Sequence, residues 1–179
     1  MKVEVLRGDI TKLVVDALVN AANAELRGGG GVDGAIHRAA GPELLEACRR
    51  LGGCPTGSAR LTPGYGLAAR FVIHAVGPVY KDGRCGEAEA LRDAYRSASS
   101  LIKEHRLKSV AFAALSTGVY GYPIEEACTI AVRSVCEALR DVPVRVIFSA
   151  FGDEVEVGLR KALERYERAR GPTRDPSVT

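Results

Sequence analysis

The chain predicts an α/β three-layer sandwich, a sheet of about six strands with helices covering both faces. Three observations predict it. Short apolar runs alternate with amphipathic stretches along nearly the whole sequence, which is the pattern of strands and helices taken in turn. Two of those runs, 13–20 (LVVDALVN) and 110–115 (VAFAAL), are too uniformly apolar for a surface edge and suit strands buried on both sides. Each of the two leads into a glycine-bearing segment, and open α/β sheets carry their ligand loops at the carboxyl ends of neighbouring strands.

At 179 residues and 46% hydrophobic composition, the chain suffices for one domain with a single sizeable core. We expect that domain over residues 1–168, with 169–179 as a disordered tail, because RARGPTRDPSVT combines Pro and Gly with little apolar content. Charged residues make up 26% of the chain, of both signs, with a net charge of +3. That balance favours neither nucleic acid nor membrane as a dedicated partner. Lys2 and Glu4 stand where a secretory leader would be apolar, and no run is long enough to span a bilayer. A cytoplasmic location is expected. Cys48, Cys54, Cys85, Cys128 and Cys136 form an odd set without a CxxC pair or a metal-ligand spacing, so reduced, mostly buried thiols are expected and no metal site. Cys54, in GGCPTG, has nothing near it in sequence to activate it as a nucleophile.

In chain order, Val3 and Val5 alternate as a strand would, and Gly8-Asp9 ends it. Asp9 suits an Asx-turn or an N-cap for the short ITKL segment. The inner strand 13–20 follows, then the paired amides Asn20 and Asn23, which in turns often satisfy local backbone. A helix opens at about Asp33 and runs to Ala40. Pro42 opens a second, PELLEACRRL, which Gly52-Gly53 ends. Strands are expected at 59–62 and 71–75, the second carrying His74 as a hydrogen-bonded core residue. Residues 87–105 read as an amphipathic helix with Leu91, Ala94, Tyr95, Ala98, Leu101 and Ile102 on one face. Strand 110–115 leads to a second loop, then to a helix opening at Pro123 and running to 139. The last strand is 144–149 and the last helix begins after Gly152-Asp153.

The most unusual stretch is 19–40, VNAANAELRGGGGVDGAIHRAA, with four consecutive glycines, Gly28, Gly29, Gly30 and Gly31. Glycine loses much freedom on ordering, so such a run belongs where side chains are not tolerated and a ligand approaches bare backbone. Free N–H groups feeding a helix start favour an anion, phosphate above all. Gly29, Gly31 and Gly34 formally satisfy GxGxxG, but the acidic residue of a dinucleotide fold is missing from CRRLGGCPTG, and no Walker lysine follows the glycines. The second loop, Ser116, Thr117, Gly118, Val119, Tyr120, Gly121, Tyr122 and Pro123, precedes a helix whose first turn holds Glu125 and Glu126. Those acids discourage an anion at that helix end, so a phosphate there would rest on the loop's own N–H groups and hydroxyls.

VNAAN, GGGGVDGAIHRAAG, CPTG, VIHAVGP and STGVYGYP occur in this order over about residues 3–166. Together they resemble the macrodomain family, and within it the branch similar to the human MacroD enzymes. The resemblance implies a mixed rather than purely parallel sheet. It implies that Asp9 accepts a hydrogen bond from an adenine amino group, beside the Ile10 backbone, and that Phe151 sets a ring against the adenine. It places the distal ribose on Asn23, has Asn20 prop the loop within the binding set, and gives the pyrophosphate to the glycines, Val32 and the second loop. Tyr122 is read either as a wall of the distal ribose or as a hydrophobic staple to its helix. Leu67-Ala68-Ala69 departs from the Leu-Pro-Ala usual in relatives, away from every proposed contact.

The function so implied is recognition of ADP-ribose and hydrolysis of an ester at its distal ribose, without cofactor or metal. The implied partners are ADP-ribose, O-acetyl-ADP-ribose and proteins carrying mono-ADP-ribose on Asp or Glu side chains. Asp33 would act as general base on a water held near the substrate's phosphate while Asn23 orients the ribose; in the other version the phosphate activates the water and Asp33 positions the sugar. A non-catalytic ADP-ribose reader is the alternative. The pairing of Asn23 and Asp33 with an intact glycine run favours the enzyme.

Overall fold

The computed structural model describes residues 1–171. Six strands, β1 (Lys2–Arg7), β2 (Ala17–Ala21), β3 (Ala59–Pro63), β4 (Phe71–Ala75), β5 (Ser109–Ala113) and β6 (Arg145–Ala150), form one sheet in the order β1-β6-β5-β2-β4-β3. All neighbours are parallel except β3, which runs antiparallel to β4. The sheet is therefore mixed. Five helices accompany it: α1 (Gly31–Ala40), α2 (Pro42–Leu51), α3 (Glu87–Glu104), α4 (Ile124–Ala138) and α5 (Asp153–Arg170), with a single 3-10 turn at Ile10–Lys12.

Two cores lie on opposite faces of the sheet. On one side Leu91, Tyr95, Phe112, Val132, Phe148 and Leu159 pack beneath α3, α4 and α5. On the other, Leu18, Ile36, Leu44, Cys48, Val72 and Ile147 pack beneath α1 and α2. Strand β5 shows why its sequence is continuously apolar: Val110 and Phe112 enter the first core, Ala111 and Ala113 the second. No helix among the described residues is long and apolar enough to cross a membrane.

Several boundaries differ from the sequence expectation, most by one or two residues, and four of them have consequences. The first inner strand begins at Ala17, not Leu13, and extends to Ala21. Asp16 is the reason: its Oδ2 accepts the N–H groups of Lys108 and Ser109 at 2.7 and 3.2 Å, pinning the segment to the start of β5 and leaving Val14 80% exposed. Helix α1 opens at Gly31 with Gly30 as its N-cap, so Asp33 sits in the first turn instead of capping it. Pro123 is the N-cap of α4, one residue before the helix. Finally, α5 continues through Arg170. Residues 169 and 170, read as tail from the sequence, are helical, and 172–179 lie outside the described residues.

Candidate functional site

The parallel strands β1, β6, β5 and β2 all end at the same edge, and each releases one of the segments singled out in the sequence. Arg7 pairs with Ala150 in the sheet register, so Asp9 and Phe151 leave adjacent strand ends together. The Asp9 carboxylate caps the 3-10 turn, accepting the Thr11 hydroxyl at 2.6 Å and its backbone N–H at 2.9 Å. The Thr11 hydroxyl first, then its N–H, hold that carboxyl below the ordinary carboxylate range. Asp9 remains exposed while Ile10 is buried. Phe151 is 91% exposed, so it is a ring on the surface at this edge and not core.

In the loop between β2 and α1, the Asn23 side chain closes the turn from both ends. Its Nδ2 donates to the Gly28 carbonyl at 2.8 Å and its Oδ1 accepts the Arg27 N–H at 3.0 Å. The four glycines differ in what a side chain there would meet. A Cβ on Gly28 would touch the His37 ring at 3.5 Å, and one on Gly29 would stand 3.3 Å from Asp33 Oδ2 and 3.7 Å from Asn23 Nδ2. Cβ atoms on Gly30 and Gly31 would meet open space, though Gly31 is left-handed at φ +57°. Gly29 is thus where Asn23 and Asp33 converge. Four residues into α1, a Cβ on Gly34 would collide with the Gly29 carbonyl oxygen, so that glycine lets the helix carry Asp33 against the loop. Val32 is half-buried on the second core.

Asp33 is 6% exposed and Asn20 is fully buried. Asn20 Nδ2 donates to Asp33 Oδ1 at 2.7 Å, and the same nitrogen stands 3.3 Å from His74 Nδ1. His37, one turn along α1, brings Nε2 to 3.4 Å from the same Asp33 oxygen. Burial raises the Asp33 carboxyl above its usual value, the Asn20 hydrogen bond and the His37 charge pulling the other way. Asn20, expected in the ligand set, is fully buried and holds Asp33. The loop-propping role expected of Asn20 belongs to Asn23.

The second loop, between β5 and α4, runs beside the first. Burial, then the charges of Glu25 and Asp33, raise the Tyr120 hydroxyl. Ser116 is buried in the left-handed region at φ +64° with its Oγ unpartnered, a strained conformation of the sort found at ligand loops. Thr117 Oγ1 donates to the Ala114 carbonyl at 3.0 Å, and the Gly121 N–H closes a turn onto Gly118. A Cβ on Gly118 or Gly121 would meet open space, and Val119 is fully exposed. Tyr122 turns inward. It is 2% exposed, packs on Tyr80 with ring centroids 4.8 Å apart and donates to Glu126 at 3.2 Å. Its hydroxyl thereby ties the end of the loop to the first turn of α4.

Two groups of side chains escaped the sequence reading. His37 was detectable from its i,i+4 spacing to Asp33 on one helix. Glu87 was not: its carboxylate accepts the N–H groups of Lys81, Asp82, Gly83 and Cys85. Burial pushes that carboxyl up, but the backbone donors outweigh it and bring it down to about 2. The loop after β4 folds around this one anion. His37, Cys48 and His74 offer donor atoms within 4.8 Å of one another, a spacing a metal could use. Burial, then the Asp33 charge, hold the Cys48 thiol up at about 11, and Asn20 and Thr62 occupy both His74 nitrogens. Cys48 Sγ also lies 3.6 Å from His74 Nε2, so these side chains sit in one buried hydrogen-bonded cluster. Cys54 is buried and its thiol raised by that burial, so no nucleophile is found there.

The family model described as the Macro domain matches residues 19–131, which span both loops. A macro domain-containing protein of Chlorobaculum tepidum is 55% identical over 169 residues, covering 93% of this chain and 94% of its own. The O-acetyl-ADP-ribose deacetylase of Salmonella gallinarum is 52% identical over 159 residues, 86% of this chain and 89% of its own. Among solved structures, the Oceanobacillus iheyensis macrodomain with ADP is 41% identical with a TM-score of 0.87, covering 92% of this chain and 90% of that one. A mixed six-stranded sheet with two glycine-bearing loops at one edge, and sequence likeness over 93% of its length, lead to one conclusion: the chain belongs to the macro domain family.

Proposed function

We propose that the chain binds ADP-ribose along the carboxyl edge of its sheet and hydrolyses an ester at the distal ribose. Asp9 and Phe151 take the adenine: an acceptor-only carboxylate for the amino group and an exposed ring for stacking. The open backbone of Gly30, Gly31 and Gly118 takes the pyrophosphate, with the N-terminus of α1 behind the first loop. The distal ribose then falls beside Gly29, where Asn23 and Asp33 meet.

The convergence of the buried Asp33 carboxylate and the Asn23 amide on Gly29 is the observation which carries the reading, and burial raises the proton affinity of that carboxyl. A group so placed is a better base than an ordinary aspartate, and a diphosphate beside it would raise its proton affinity further. In the proposed step Asp33 takes a proton from water, the water oxygen adds to the ester carbonyl carbon, and the bond from that carbon to the ribose oxygen breaks. The proton returns to the sugar oxygen. The products are a carboxylic acid and ADP-ribose. No metal enters the step. The substrates are O-acetyl-ADP-ribose and mono-ADP-ribose esterified to acidic protein side chains; a relative 52% identical carries the name of the first activity.

The test is single-turnover hydrolysis of O-acetyl-ADP-ribose and of a protein ADP-ribosylated on glutamate, wild type beside Asp33→Ala, with ADP-ribose affinity measured calorimetrically. Binding should survive within a few-fold while turnover falls by about 10²- to 10⁴-fold. Unchanged turnover would remove Asp33 from the mechanism. Tight binding by the wild type with no turnover of either ester would make the chain a reader.

A further inference from the structure

Thr62, His74 and Asn20 form a buried line across β3, β4 and β2 that ends on Asp33. Asn20 and His74 are partners in the parallel register, so their side chains share a face of the sheet. An asparagine amide fits its site by shape in either of two orientations, and hydrogen bonding alone distinguishes them. With the NH₂ toward Asp33, one hydrogen goes to Oδ1 at 2.7 Å and the other to His74 Nδ1 at 3.3 Å, and the Asn20 carbonyl is buried without a partner. Turned over, the carbonyl oxygen would face the carboxylate and repel it. The fold tolerates an orphaned acceptor to keep the donor where it is.

The chemistry of the ring follows from the amide. An NH₂ group only donates, so Nδ1 of His74 must be bare and its proton must sit on Nε2, which lies 3.0 Å from the Thr62 hydroxyl. On Asp33, Oδ1 is taken by Asn20 and approached by His37, while Oδ2 is the oxygen a Cβ on Gly29 would meet. We propose that His74 is a positioning residue for Asp33. Its bare Nδ1, with Nε2–H anchored on Thr62, selects the Asn20 orientation that holds Asp33 Oδ1 and presents Oδ2 to the glycine loop. This rests on the hydrolase reading above.

Two substitutions separate positioning from packing. His74→Leu fills the site but removes the acceptor; His74→Asn is smaller but returns an oxygen near the Nδ1 position. His74→Leu should lower kcat by about ten- to a hundredfold with ADP-ribose affinity unchanged within about threefold, and His74→Asn should recover most of that loss despite its lower Tm. Added to Asn20→Ala, His74→Leu should cost nothing more. Turnover that follows Tm instead, with Leu outperforming Asn, would overturn the proposal. Asp33→Ala serves as control: turnover dependent on Asp33 but indifferent to His74→Leu sinks this inference alone, and turnover indifferent to Asp33 sinks the hydrolase reading. Whether or not the variants fold, ¹⁵N shifts of His74 in the wild type should show a protonated Nε2 and a bare Nδ1 at neutral pH. The other tautomer, or an imidazolium, refutes the proposal.

Discussion

Asn20 and Asp33 stand thirteen positions apart on different elements, and a single 2.7 Å hydrogen bond between their side chains ties the end of β2 to the first turn of α1. The bond lies inside the protein, at the base of the glycine loop. It keeps a carboxylate in place where burial disfavours its charge.

That burial has a thermodynamic consequence. Asp33 has its carboxyl raised by burial above the ordinary 3.8, with Asn20 and His37 offsetting part of the rise. The folded state therefore holds this proton to higher pH than the unfolded chain does. The associated stability is complete below the ordinary value and is lost as pH rises through the raised one. Asp33→Asn, which cannot ionise, should melt at a higher temperature than wild type near pH 7.5, with the difference shrinking toward pH 3.5. Thermal melts across that range check it, and a variant less stable at neutral pH would mean that Asn20 and His37 together outweigh the cost of burial.

In the proposed complex, recognition of the base is divided between a fixed carboxylate and a free ring. Asp9→Ala should weaken ADP-ribose by about ten- to a hundredfold, the range for a hydrogen bond to a charged group, while ribose 5-phosphate is affected far less. Equal losses for the two ligands would mean that Asp9 does not read adenine. Phe151→Ala should weaken the same ligand by about five- to a hundredfold, as expected for lost base stacking. Because Phe151 is 91% exposed, its removal should leave Tm unchanged.

In the proposed site the glycines divide into those the fold needs and those the ligand needs. A Cβ at Gly34 meets the Gly29 carbonyl and that at Gly118 meets nothing. Gly34→Ala should destabilise the fold by about 1–3 kcal/mol, the usual cost of overpacking, and displace the first loop. Gly118→Glu should leave the circular dichroism spectrum and Tm near wild type and abolish binding of ADP-ribose, through bulk and like charge. If Gly118→Glu still binds normally, the second loop lies outside the site.

Much of this molecule was legible in the order of its residues. Periodicity, with glycine and proline signals at the ends, located the six strands and five helices of the described residues, because apolar spacing of two or about 3.6 residues reports which face is buried. It misplaced the start of β2, since nothing in LVVDALVN says that Asp16 reaches across to backbone at Lys108 and Ser109. Tyr122 was ambiguous for the same reason: a tyrosine after a glycine turns inward or outward according to what lies opposite, and here Tyr80 does.

By itself the sequence determined the alternation of strand and helix, the two side-chain-poor loops and the residue types available to them. These depend on neighbours within a few positions, where hydrophobic spacing, glycine and proline act directly on the backbone. Tertiary structure alone decided which amide holds Asp33 and which ties the loop, and it alone set His74 and Thr62 behind that amide. Those contacts join positions 20, 33, 62 and 74. Hydrogen bonds are short and directional, so they exist only once the sheet register and the seat of α1 have brought those four side chains together.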